Sequence, residues 1–171
     1  MTDQKTDDAF MARALEIAAQ AKDEAGALPY GAVVVIDGKI VGEGLNRAGV
    51  IHDPTSHGEV EAIRDACRKR GSQSLKGAVM YTTAEPCSMC VATMLLSGFE
   101  RLVFAAAADD TKPYVEKLAK IDPNMRRRFS SVELREQVGL APEDRTMPMA
   151  RAGRDEALEV FDAYIARRSV S

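Results

Sequence analysis

Residues 7–21 alternate apolar and polar positions with a helical period. Phe10, Ala14, Ile17 and Ala21 recur on one side, with Met11, Leu15 and Ala18 beside them. Thr6 is placed to cap this helix, and Gly26 and Pro29 end it. "AVVVI" (32–36) is a β-branched run. Asp37-Gly38 follows as a two-residue hairpin turn, and "KIVGEGLN" (39–46) returns as the partner strand. Residues 47–56 read as a loop. Residues 57–70 read as a helix stopped by Gly71, with Val60, Ile63 and Cys67 on one side. "AVMYTT" (78–83) is a strand, 87–97 a helix closed by Gly98, and "RLVFAAA" (101–107) a further strand.

This order, α-β-β-α-β-α-β, predicts an α/β fold in which helices pack on a sheet that is part antiparallel and part parallel. Beyond residue 108 the periodicity weakens. Lys112-Pro113 is a candidate helix start running to Ile121, and Asp122-Pro123 breaks it. "RRRFSSVELREQV" (126–138) has no clear period. "TMPMARA" (146–152) is a candidate fifth strand at an edge, where its proline is tolerated. Ala157, Leu158, Phe161, Tyr164 and Ile165 predict an amphipathic last helix. No repeat or linker divides the 171 residues, so a single domain is expected, with its core at about 8–108 and a C-terminal strand and helix in 146–168.

Composition narrows the function. Lys+Arg number 23 against 26 Asp+Glu, which gives no whole-chain footprint for nucleic acid. The basic clusters, Arg126–Arg128 and Arg167–Arg168, read as solvated faces. Three cysteines, an odd number with two of them in C-x2-C, do not form a secreted disulfide framework. The polar, acidic start MTDQKTDDAF is no signal peptide, and no apolar run has the length of a membrane span. A soluble cytoplasmic protein is expected.

The chemistry lies in "SHGEVEAI" (56–63) and "AEPCSMC" (84–90). C-x2-C alone suggests zinc or a redox pair. The redox reading does not predict a second helix opening with His57-x-Glu59. H-x-E followed by P-C-x-x-C is the pattern of the zinc nucleobase deaminases. A helix N-terminus favours thiolate at Cys87. His57, Cys87 and Cys90 would supply three ligands to Zn²⁺ and leave a fourth position for water, the catalytic form of a zinc site. Zinc draws the pKa of such a water toward neutrality. Glu59 would take its proton and pass it to the leaving amine. A closed structural site needs a fourth ligand. Cys67, ten residues past His57 on one helix, is roughly 15 Å away along the axis and reads as core. His52, in the preceding loop, reads as a polar loop residue.

With these motifs in view, the chain resembles the cytidine deaminase superfamily, and within it the free-base and adenosine-type deaminases. The resemblance covers about residues 8–108, through "LPYGAVVV", "GEGLNR", "DPTSHGEVEAIRDAC", "YTTAEPCSMC" and "RLVFAA". It implies a three-layer α-β-α sandwich with a mixed five-stranded sheet. It implies one zinc on His57, Cys87 and Cys90, with Glu59 as proton shuttle, Asn46 as a contact to the base and the Pro29–Ala32 backbone along the same pocket. It also implies a homodimer in which each subunit helps to wall its neighbour's site. The usual H-A-E is here H-G-E, as in some cytosine deaminases, so Gly58 either relieves crowding or widens the pocket floor. Ala84 stands where many relatives have a bulkier or polar residue.

The substrate expected from this reading is a small molecule, a free nucleobase or similar amino-heterocycle of guanine or cytosine type, with no membrane or nucleic acid as partner. "APEDRTMPM" and the last helix resemble the tail of bacterial guanine deaminases. The alternative is a tRNA-specific adenosine deaminase, to which "GEGLNR" and "HDPTSHGE" are also similar. A more remote alternative is a non-catalytic zinc-stabilised binding module, against which the retained Glu59 speaks. Asp109 and Asp110 are either acceptors for a purine's N–H groups or caps of the following helix.

Overall fold

The β-branched run Ala32–Ile36 lies in the middle of the sheet and is buried on both faces. The computed structural model describes residues 4–122 and 129–168. They fall into two compact units, one ending at Arg135 and one beginning at Glu136. The first holds α1 (Gln4–Ala19), β1 (Leu28–Ile36), β2 (Lys39–Asn46), α2 (Ala48–Ile51), α3 (Gly58–Arg70), β3 (Val79–Ala84), α4 (Ser88–Ser97), β4 (Arg101–Ala106) and α5 (Ala108–Ile121). The unit boundary falls within α6 (Ser131–Gly139). The second unit continues to α7 (Arg154–Arg168), whose apolar residues Leu158, Phe161 and Ile165 are exposed.

The sheet order is β2-β1-β3-β4. β1 pairs antiparallel with β2 and with β3, and β3 pairs parallel with β4. The β1–β2 hairpin turns at Asp37 (φ 51°) and Gly38 (φ 71°), both left-handed, as a two-residue turn that matches strand twist requires. Alternate residues of β1 serve opposite faces. Ala32, Val34 and Ile36, with Met80 of β3, pack against Val60, Ile63 and Ala66 of α3 and Cys90 and Met94 of α4. Val33, Val35 and Tyr81 pack against Ala14 and Ile17 of α1. The architecture is therefore α/β, a mixed sheet between helices. Each fully buried Val or Met contributes about 1.5–3 kcal/mol relative to exposure.

Glycines in β2 let α3 lie directly on the strand. A Cβ at Gly44 would sit 2.1 Å from the Gly58 carbonyl oxygen and 2.3 Å from the Ala62 nitrogen. This approach brings the first turn of α3 against the sheet, where the site forms.

Four expectations change. The sheet has four strands among the described residues, not five, and residues 146–152 form no ladder. Strand alternation there would put Met147 and Met149 on one face, yet both are exposed (62% and 52%), and Pro148 has no N–H to donate. Thr6 is not a cap, because α1 already begins at Gln4. Part of the 47–56 loop is the one-turn helix α2. α5 begins at Ala108 and takes Pro113 inside it. Pro123 and the Arg126–Arg128 cluster lie outside the described residues. Arg168 is exposed and sits over the Tyr164 ring at 5.2 Å.

Candidate metal centre and active site

His57 is the N-cap of α3 and Cys87 the N-cap of α4. Neither side chain makes the usual capping hydrogen bond. Both backbones are extended there (φ/ψ −78°/153° and −73°/168°), so each side chain leaves its helix axis and is free for another partner. They find each other. His57 Nδ1 lies 3.6 Å from Cys87 Sγ and 3.5 Å from Cys90 Sγ, and the two sulfurs are 3.7 Å apart.

These lengths test whether zinc fits. Tetrahedral Zn²⁺ with Zn–S of about 2.3 Å and Zn–N of about 2.0–2.1 Å has S···S edges of about 3.8 Å and S···N edges of about 3.6 Å. The triangle matches within about 0.1 Å, inside the tolerance of about 0.2 Å for a metal site. His57, Cys87 and Cys90 form the one group of this kind among the described residues. Neither Cys67 nor His52 belongs to it, so three ligands leave one coordination position open.

The two thiols and the buried acid perturb one another. The bond shared with Cys90 holds the Cys87 thiol down at about 3, helped by His57, while the same bond and burial drive Cys90 up. Glu59, in the first turn of α3, is 6% exposed. Burial pushes its carboxyl up. The other buried acid, Asp7, is engaged by Tyr81 Oη at 2.6 Å and by Arg101.

Asn46 ends β2 and is 1% exposed. Arg47 N–H donates to Ser56 O at 3.0 Å, so the 47–56 loop closes on itself between the end of β2 and the start of α3. The Ala48 N–H donates to Asn46 Oδ1 at 3.2 Å. That bond fixes the amide orientation and leaves its NH₂ as the free polar group. Asp110 takes part in capping α5, its carboxylate accepting from Ala107 N–H at 2.9 Å. Gly58 relieves crowding: a Cβ there would lie 2.4 Å from the Tyr30 carbonyl oxygen. Gly58→Ala is expected to destabilise the protein by about 1–3 kcal/mol, as overpacking does. Urea unfolding checks it, and an unchanged midpoint refutes the crowding.

One residue of the site carries no recognised role in the motif. Glu85 accepts from Ala108 N–H at 3.0 Å and from Arg135 at 2.9 Å. The Ala108 amide and then the guanidinium hold its carboxyl below the usual range. The signal in the sequence is an acid directly before Pro-Cys, but its partners are 23 and 50 residues away.

Two helix N-termini bring His57, Cys87 and Cys90 together in zinc geometry, with the buried Glu59 in the first turn of α3. Residues 4–106 match the family "Cytidine and deoxycytidylate deaminase zinc-binding region", and the chain belongs to it, as a zinc-dependent deaminase. Among its relatives, guanine deaminase of Bacillus subtilis (strain 168) is 30% identical over 155 residues, 91% of this chain and 91% of that protein. The X-ray structure of guanine deaminase from Bacillus subtilis has a TM-score of 0.78 at 29% identity, covering 96% of this chain and 95% of that one. A tRNA-specific adenosine deaminase of Aquifex aeolicus (strain VF5) is 40% identical, but over 83 residues, 48% of this chain and 55% of that protein.

Proposed function

We propose that the chain hydrolytically deaminates a free nucleobase of the guanine type, with Glu59 as proton carrier, His57, Cys87 and Cys90 as zinc ligands and Asn46 as a contact to the base. The observation that carries the substrate class is the extent of similarity. The likeness to guanine deaminase runs through 91% of both chains, whereas the stretch shared with the tRNA deaminase is about half of each.

The reaction forms a C–O bond at the ring carbon that bears the amino group and breaks its C–N bond. Ammonia leaves and the carbon becomes a carbonyl. Bound zinc supplies a Lewis acid that makes water nucleophilic near neutral pH. Protons must move from the water to the ring and to the departing nitrogen. A position two residues past His57, shielded from solvent and outside the ligand triangle, supports Glu59 as the carrier in both transfers. Asn46, its oxygen held by Ala48, presents N–H donors, which suit a base with a carbonyl or ring-nitrogen acceptor at that edge. Asn46→Asp keeps the bond to Ala48 and replaces the donor by an acceptor. The expected result is a kcat/KM lower by about 10–100-fold, carried by KM. Steady-state kinetics on the preferred base decide it, and unchanged kinetics remove Asn46 from the pocket.

A homodimer and a cytoplasmic location complete this reading. Leu95 and Leu96 of α4 are 72% and 90% exposed, and Phe104 of β4, an edge strand, is 42% exposed, apolar side chains that support association with a second copy. All three cysteines are free, and among the described residues no helix is long and apolar enough to cross a membrane.

The test is ammonia release from zinc-loaded protein with free bases and the matching nucleosides, beside a tRNA stem-loop assayed for inosine. Turnover of guanine without inosine supports the proposal. Inosine formation with no turnover of any base overturns it.

A further inference from the structure

Cys87 must stand within a few tenths of an ångström of its place for the metal triangle to close, yet it sits on a turn between a strand and a helix. The residues that hold this turn converge on Glu85. Its backbone N–H donates to Ala106 O at 2.8 Å, prolonging the β3–β4 ladder by one bond. Its carboxylate reaches two further elements: one oxygen accepts from Ala108 N–H, at the first residue of α5, and the other from the Arg135 guanidinium in α6. The Ala108 N–H is one of the donors that a helix start leaves without an intrahelical partner, and a carboxylate is the group that this end of a helix favours.

Between Glu85 and Cys87 stands Pro86. Its ring fixes φ near −65°, and it restricts the residue before it to extended backbone. Few torsions therefore remain free between the anchored Glu85 and the Cys87 sulfur. Fixing the first places the second.

Building on the zinc-site reading above, we propose that Glu85 is a positioning residue for the metal: by engaging Ala108 and Arg135 at once, it holds the Cys87 turn where the triangle with His57 and Cys90 requires it. It touches neither metal nor substrate. A break at Glu85 displaces Cys87 relative to His57, which belongs to a different helix and keeps its place.

The test compares Glu85→Ala, Glu85→Gln and Arg135→Met with the wild-type protein, each loaded with zinc and, separately, with cobalt. Release of zinc to a chromogenic chelator is timed, and the visible absorption of the cobalt form is recorded. Glu85→Ala is expected to release zinc about 10–100-fold faster, the range for lost supporting contacts around metal ligands, with an altered cobalt spectrum. Glu85→Gln keeps an acceptor for Ala108 and loses the ion pair, so its smaller change should equal that of Arg135→Met. The double variant should add nothing further, as for two residues in one contact. With the guanine-type substrate, kcat should fall in the same order while KM stays constant.

A purely architectural Glu85 would lower the melting temperature and leave release rate, cobalt spectrum and kcat as in the wild type, and that result overturns the inference. If Glu85→Ala does not fold, Glu85→Gln and Arg135→Met decide by the same readouts: faster release supports the inference, and wild-type release in both overturns it. A wild-type chain that takes up no cobalt or zinc overturns the metal reading itself and this inference with it. Wild-type uptake with unaltered variants overturns the inference alone.

Discussion

Glu59→Gln should leave one zinc per chain and an intact fold, and lower kcat by about 10²–10⁴-fold, the usual share of a general acid–base group. Glutamine matches glutamate in shape and cannot carry a proton. The environment sharpens the effect. Glu59 is 6% exposed, so bulk water is poorly placed to replace it, and the other buried acid, Asp7, is engaged by Tyr81 and Arg101. Zinc content by atomic absorption and ammonia release on the preferred base, measured on one preparation, read both halves of the expectation. Zinc retained with activity lost supports the proton-carrier role. Activity retained removes it. If zinc is lost as well, Glu59 has a part in holding the metal that the three-ligand triangle does not include.

Loss of a ligand should be more severe. Cys90→Ala removes one corner of the triangle and leaves His57 and Cys87 facing an incomplete shell. Affinity for zinc is expected to fall by more than about 100-fold, beyond the range for supporting contacts alone, and turnover should disappear with it. Thermal unfolding gives an independent readout. A metal present at 100 times its dissociation constant stabilises the folded state by about 2.7 kcal/mol. For a chain of this size that corresponds to roughly 5–10 °C in melting temperature. Chelation of the wild-type protein should produce such a drop and added zinc should reverse it, whereas Cys90→Ala should melt at one temperature with or without zinc. A variant that still responds to zinc would show that Cys90 is not a ligand.

The metal ligands and the first four strands were legible because each rests on local chemistry. His57 and Cys87 occupy helix starts that their neighbours announce, and Asp37-Gly38 specifies its hairpin without help from elsewhere. Features that depend on remote partners were not legible. α5 starts at Ala108 because Asp110 caps Ala107 and because Glu85, 23 residues earlier, accepts from Ala108; Pro113 taken by itself points to a later start. Residues 146–152 alternate like an edge strand, but a strand exists only with a neighbour to pair with, and composition does not supply one. The role of Gly58 needed the Tyr30 carbonyl, which lies in another element.

The strand order β2-β1-β3-β4 also has a consequence for how the protein is made. His57 and Cys90 are 33 residues apart, about 2–7 s of synthesis at 5–20 residues per second. Until that interval ends, the emerging chain holds His57 without the full set of three ligands. The sulfurs reach it only when β3 pairs with β1 and carries the Cys87 turn across the sheet. A complete chelate is thus absent until Cys90 has been made and β3 has joined β1. The finished triangle, two sulfurs and one nitrogen drawn from two helix starts, is a donor set that suits zinc, and it exists only in the paired sheet.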